Sequence, residues 1–141
     1  MKKLLLIILI LFTAPCFADE EILIDTDEKA KEILLGHDWE CKAKDETHSA
    51  TSKMVYEEAG LEKVTAKVKN SVCPDGWGTL EGKIEEGRVT GKFTNSPEPC
   101  VPRSFDGRIY KSADGSYYTK DSYMNLYFGT TGQFDCVAVA K

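Results

Sequence analysis

Thr79-Leu80-Glu81-Gly82-Lys83-Ile84-Glu85-Glu86-Gly87-Arg88-Val89-Thr90-Gly91-Lys92-Phe93-Thr94 is the stretch on which the fold turns. Leu80, Gly82 and Ile84 alternate with Glu81, Lys83 and Glu85. Beyond Glu86-Gly87, Val89, Gly91 and Phe93 alternate with Arg88, Thr90 and Lys92. Successive side chains on a strand point to opposite faces, so a period of two describes strands with one dry and one wet face. Gly87 at the break can take the positive φ that a tight hairpin requires. The stretch therefore reads as an antiparallel hairpin, 79–85 with 88–94.

The same period extends in both directions. Trp39, Cys41 and Ala43 alternate with polar partners, as do Val64, Ala66 and Val68 with Thr65, Lys67 and Lys69, and Phe105, Gly107 and Ile109 with Asp106 and Arg108. Glu58-Ala59-Gly60, Ala113-Asp114-Gly115 and Thr130-Thr131-Gly132 supply further turns that end in glycine. The predicted strands are 37–44, 50–57, 61–72, 79–85, 88–94, 104–112, 116–128 and 133–140, each joined to the next by a short connection. This excludes a parallel, doubly wound sheet. It predicts a mainly β fold, an antiparallel up-and-down barrel of about eight strands of lipocalin-like or inhibitor-like type, with room for its own side chains or one small ligand. Leu80 to Ile84 and Phe105 to Ile109 share the order apolar, acid, Gly, base, Ile. Two copies fall short of a repeat architecture and read as two strands bending in the same way.

Upstream of the barrel, Asp25 with Glu28 three residues on forms a capping arrangement, and Ala30, Ile33 and Leu34 recur at helical spacing before Gly36. A helix of about ten residues is predicted, its single apolar stripe lying over the barrel rather than forming the core. Residues 1–18 read as a secretion signal: Lys2 and Lys3, an apolar run from Leu4 to Phe12, and the small residues of Cys16-Phe17-Ala18 before a cleavage point. The run is far short of the ~20 residues that span a bilayer. Pro15 stands where lipidation of Cys16 would want a small residue, so no acyl anchor is expected. The chain thus divides into a signal peptide at 1–18, a lead and helix at 19–36 and a barrel at 37–141, with a periplasmic or extracellular destination.

The chain carries 18 Lys and Arg against 23 Asp and Glu; loss of Lys2 and Lys3, with no acid, takes the net charge from −5 to −7. Such a surface is repelled by phosphate backbones and anionic membranes, so neither nucleic acid nor a membrane is an expected partner. Cleavage leaves Cys41, Cys73, Cys100 and Cys136, an even number without a Cys-x-x-Cys pair, which predicts two structural disulfides rather than a redox or zinc motif. In an up-and-down barrel the loops after the third and fifth strands leave at one end, and closure sets the first strand beside the last. The predicted bridges are Cys73–Cys100 and Cys41–Cys136.

Groups for catalysis are sparse. His37 and His48 lie in no arrangement that pairs them with a nucleophile, and Glu57-Glu58 and Glu85-Glu86 read as solvated turn carboxylates. Asp25-x-Asp27 begins like a calcium loop but continues with Lys29 and Ala30 where an oxygen ligand and a glycine belong. No enzyme, metal or cofactor is expected.

Three features remain. Gly82, Gly91 and Gly107 face inward on successive strands, leaving either a cavity for a small apolar ligand or freedom for the sheet to bend. Asp75 and Trp77, in the loop Cys73 to Gly78, and Glu98, Val101 and Arg103, in the proline-stiffened loop Asn95 to Arg103, would form one partner-binding rim. Tyr110, Tyr117, Tyr118, Tyr123 and Tyr127 crowd the C-terminal third, and the odd-numbered ones share a strand face with Thr119, Asp121 and Asn125 that reads as an exposed polar face. The plan resembles the small envelope barrels of bacteria, which include lysozyme and protease inhibitors and lipocalin-like carriers. That likeness is one of fold and carries no function of its own; the expected role, from the rim, is that of a binding protein. A protein partner is preferred over a small apolar ligand, in its sharpest form a cationic hydrolase inhibited by this acidic chain; the alternative is a carrier with its ligand inside the barrel.

Overall fold

The computed structural model describes residues 21–46, 49–71, 78–94, 103–125 and 129–141. At the hairpin quoted above, β5 (Gly78–Glu85) and β6 (Arg88–Thr94) pair in antiparallel register from Thr79 opposite Thr94 to Glu85 opposite Arg88. Glu86 and Gly87 have φ of 52° and 73°, the two left-handed residues of a type I′ turn. Six more strands complete the wall: β2 (Asp38–Lys44), β3 (Ser49–Ala59), β4 (Val64–Asn70), β7 (Arg103–Lys111), β8 (Tyr117–Asn125) and β9 (Thr131–Val139). Each pairs antiparallel with its sequence neighbour, and β2 pairs with β9, so the eight close on themselves and no barrel strand has a free edge. The predicted eight-stranded antiparallel barrel is the observed one.

A ninth strand lies outside that count. β1 (Ile22–Leu23), in the extended lead, pairs with Tyr110 and Lys111 of β7 beyond the point where β6 stops. Ile24 continues the line, its N–H donating to the Ile109 carbonyl at 2.9 Å. Asp27 then accepts a hydrogen bond from the N–H of Gly87 at 2.8 Å. The lead is thereby stitched across the end of the barrel to the β5–β6 turn.

The helix α1 (Asp27–Gly36) corrects two expectations. Its N-cap is Thr26, not Asp25, and no side chain caps it; the nearby Asp27 carboxylate is engaged by Gly87 instead. Nor does the helix merely lie over the barrel. Ala30, Ile33 and Leu34 are buried as part of the single core, with Trp39, Tyr56, Ala59 and Val64. The carbonyl groups of Ile33 and Leu34, which lack helical partners near the C-terminus, meet the His37 Nδ1 at 2.9 Å and the Trp39 Nε1–H at 3.3 Å. The helix is a plug bonded into one mouth of the barrel.

Other differences are local. β4 runs from Val64 to Asn70 rather than over 61–72 and β8 from Tyr117 to Asn125; of the longer prediction for β8, 126–128 lie outside the described residues. Glu57 is an extra residue in β3, where the register slips between Tyr56 and Glu58, so Tyr56 and Ala59 both face inward. Glu57 and Glu58 are strand residues, paired with Lys67 and Lys63 at 3.0 and 3.1 Å. Of the four predicted turn glycines, Gly87 and Gly115 have positive φ and Gly60 and Gly132 do not; Gly129 takes that conformation before β9.

Candidate functional site

The two mouths of the barrel differ. The end that holds α1 also holds the tight connections between β3 and β4, β5 and β6, and β7 and β8. At the opposite end the chain makes its β2–β3, β4–β5, β6–β7 and β8–β9 connections. The strand ends that bracket the two predicted rim loops, Asn70 and Gly78 for one and Thr94 and Arg103 for the other, lie at this end. Cys73, Asp75, Trp77, Glu98, Cys100 and Val101 themselves, and with them the predicted Cys73–Cys100 bridge, lie outside the described residues. Arg103 opens β7 with its backbone paired to Asn125.

Beneath the rim is a floor of aromatic rings. Phe93, Phe105 and Phe134 meet edge to face, all three pairs with centroids 5.7 Å apart. Tyr123 lies over Gly132, where a Cβ would come within 2.5 Å of the phenol oxygen, and its hydroxyl donates to Asp45 at 3.1 Å. Thr51 and Ser71 tie β3 to the end of β4 by two hydrogen bonds of 2.9 and 3.1 Å. A packed floor holds the strand ends from which the rim loops spring.

At the three inward glycines of the alternative ligand site, Gly82, Gly91 and Gly107, neighbouring atoms stand where a Cβ would be. Gly82 and Gly91 face each other across β5 and β6; a Cβ on Gly82 would lie 2.8 Å from the Gly91 Cα and strike the Thr90 carbonyl. At Gly107 the place of a side chain is taken by the carboxyl group of Asp121, directly opposite on β8. Glycine here permits close backbone approach and receives a neighbour. We expect Gly82→Ala to cost about 1–3 kcal/mol through overpacking, read as a lowered urea midpoint; an unchanged midpoint would mean spare volume and would return the carrier reading.

Asp121 also corrects the reading of the tyrosine face. Thr119, Asp121 and Tyr123 are buried, so the odd positions of β8 line the interior and the even ones face solvent. The turn Ser112–Ser116 sets Lys111 opposite Tyr117, and hence Ile109 opposite Thr119 and Gly107 opposite Asp121. An inward Ile109 therefore forces Thr119 inward. That hairpin parity was the signal available in the sequence. Within the barrel the Thr119 hydroxyl donates to Asp121 Oδ2 and accepts from the Cys136 N–H at 3.3 Å, while Asp121 Oδ1 has no hydrogen-bond partner among the described residues. Burial pushes the Asp121 carboxyl well above the usual carboxylate range; the Thr119 hydroxyl opposes the rise and the charges of Asp135 and Asp106 add to it. Burial, with the charge of Asp121, likewise raises the Tyr56 phenol.

Beside Thr119, the disulfide Cys41–Cys136 joins the first and last barrel strands as predicted, its cysteines directly opposite with Cα atoms 4.0 Å apart and both side chains buried. Among the described residues no group of three His, Cys, Asp or Glu side chains is placed to hold a metal ion, and no helix is long and apolar enough to cross a membrane. Comparison with known protein families, curated proteins and solved structures finds no match for this chain.

Proposed function

We propose that this barrel is a secreted or periplasmic binding protein that engages a protein partner with the rim at the end opposite the helix, through Asp75, Trp77, Glu98, Val101 and Arg103. The observation that carries this reading is the inequality of the two mouths. A bonded helix fills one, whereas at the other the strand ends that lead into four connections stand around a floor of interlocked rings. Loops sprung from a stiff support lose little freedom on binding, and an aromatic anchor such as Trp77 then contributes disproportionately to affinity. Packing at the three glycines favours the outside of the molecule over its interior as the binding surface. A mature charge of −7 favours a basic partner, and an inhibitor of a cationic hydrolase is the sharpest form of the proposal. The Cys41–Cys136 bridge is consistent with an oxidising compartment.

The test is recovery of partners from envelope or host extract by the wild type and by Trp77→Ala. The variant is expected to bind the recovered protein about thirtyfold more weakly, as for a hot-spot residue, with an unchanged unfolding midpoint and with wild-type binding that weakens as salt is raised. Equal binding by both proteins would remove the rim from the proposal.

A further inference from the structure

On the outer wall, register sets three cations abreast: Arg88 opposite Arg108, and Arg108 opposite Lys120. Like charges facing each other across strands are unfavourable, and such a row in an acidic chain calls for counter-charges. Arg88 has one in Asp106, which it grips through both Nε and Nη2. Lys120 has another in Glu21 at 2.9 Å and lies over the rings of Tyr110 and Tyr118, 5.1 and 5.7 Å from their centroids. Arg108, between them, makes no ion pair among the described residues. Asp106 feels its charge, but the hydrogen bond from Arg88 is the chief reason that this carboxyl is held below its usual range.

The row opens on a groove of about 690 Å³ that also takes in Asp106, Ser122, Gln133 and Asp135. Its volume is that of a small-molecule site. The charged residues that line it balance, Arg88, Arg108 and Lys120 against Asp106, Asp135 and the inward Asp121, and of the three cations only Arg108 has no ion pair among the described residues. One unengaged cation suits a single anionic group better than a doubly charged one. A guanidinium without a partner presents a planar fork that matches a carboxylate. Beside it, Ser122, Gln133 and Asp135 offer donors and acceptors suited to hydroxyl groups.

We propose that this groove, on the wall and apart from the proposed rim, binds a small hydroxylated monocarboxylate of the sugar-acid class, with its carboxylate in the fork of Arg108. The test is a titration of the ¹⁵N-labelled protein, followed by amide shifts, with glucuronate, glucose and inorganic phosphate. Glucuronate is expected to produce saturable shifts at Arg108, Ser122 and Gln133 in the millimolar range, and glucose none. Arg108→Gln is expected to weaken glucuronate at least tenfold, since paired hydrogen bonds to a charge are lost, and Arg108→Lys to restore only part of it because the fork is missing. Ser122→Ala, on the exposed side of β8, should weaken binding a few-fold and serves if Arg108→Gln does not fold. Shifts that fail to saturate, that are equal with glucose, or that persist unchanged in these variants would overturn the proposal. So would phosphate binding as tightly as glucuronate, which would mark a general oxyanion site.

Discussion

Replacing both Cys41 and Cys136 by alanine is expected to lower stability by about 4.5 kcal/mol. The bridge closes a loop with a sequence separation of 95, and the chain-entropy account assigns about 4.7 kcal/mol to a loop of roughly that length. It spans the β2–β9 seam at which the barrel closes, yet seven consecutive residue pairs, from Asp38 with Val139 to Lys44 with Gln133, hold the same seam. Closure does not depend on the covalent bond, whose effect falls mainly on the unfolded chain. The double variant should therefore keep its strand content and lose resistance to urea. With a slope of about 1.5–2 kcal/mol/M, the midpoint would fall by roughly 2–3 M. The variant is preferred to a reductant, which would also act on any bridge between Cys73 and Cys100. A midpoint within error of wild type would show that the bond contributes nothing to stability.

The second large effect is a loss of stability as pH rises toward neutrality. Asp121 is buried with one oxygen lacking a hydrogen-bond partner among the described residues, and its folded-state pKa is raised above the ordinary value of 3.8. The native state then holds a proton that the unfolded state gives up, so stability falls as pH climbs above about 4, by up to about 1.4 kcal/mol per pH unit, until the folded-state pKa is passed. The exposed acids act in the opposite sense and at lower pH. Hydrogen bonds from Ser112 and Ser116 bring Asp114 down to about 2, and the neighbouring Tyr118 hydroxyl and Lys120 ammonium lower Glu21. The stability these contribute is present above the unfolded values, 3.8 and 4.5, and disappears below them. Urea midpoints between pH 4.5 and 8 should decline for the wild type and stay nearly level for Asp121→Asn, which cannot ionise; the slope is the readout, since the amide brings hydrogen-bonding demands of its own. A wild-type midpoint that is flat or rises with pH would mean that Asp121 is charged in the folded protein.

These effects differ in how far the chain announced them. The seam bridge was legible because two facts met: strands joined by short connections alternate in direction, and eight of them close with the first beside the last. Cys41 and Cys136 each hold an inward position on those two strands, and β2–β9 register then sets them face to face. Asp121 was not legible from its own strand. Tyr117, Thr119, Asp121 and Tyr123 alternate with Tyr118, Lys120, Ser122 and Met124, two sets of similar polarity, and a period of two cannot say which set is dry when neither is plainly apolar.

Local pattern by itself determined the strands, their approximate number, the tight turn at Glu86-Gly87 and the apolar stripe of the helix, because each depends on residues within a few positions of one another and on backbone preferences that travel with them. Only the closed structure decided that the helix enters the core, that Gly107 makes room for a buried carboxyl, that Gly82 and Gly91 bring two backbones together, and that three cations stand in one row. Those outcomes depend on which residues of distant strands come opposite one another. That is settled by hydrogen-bond register and the packing of a shared interior.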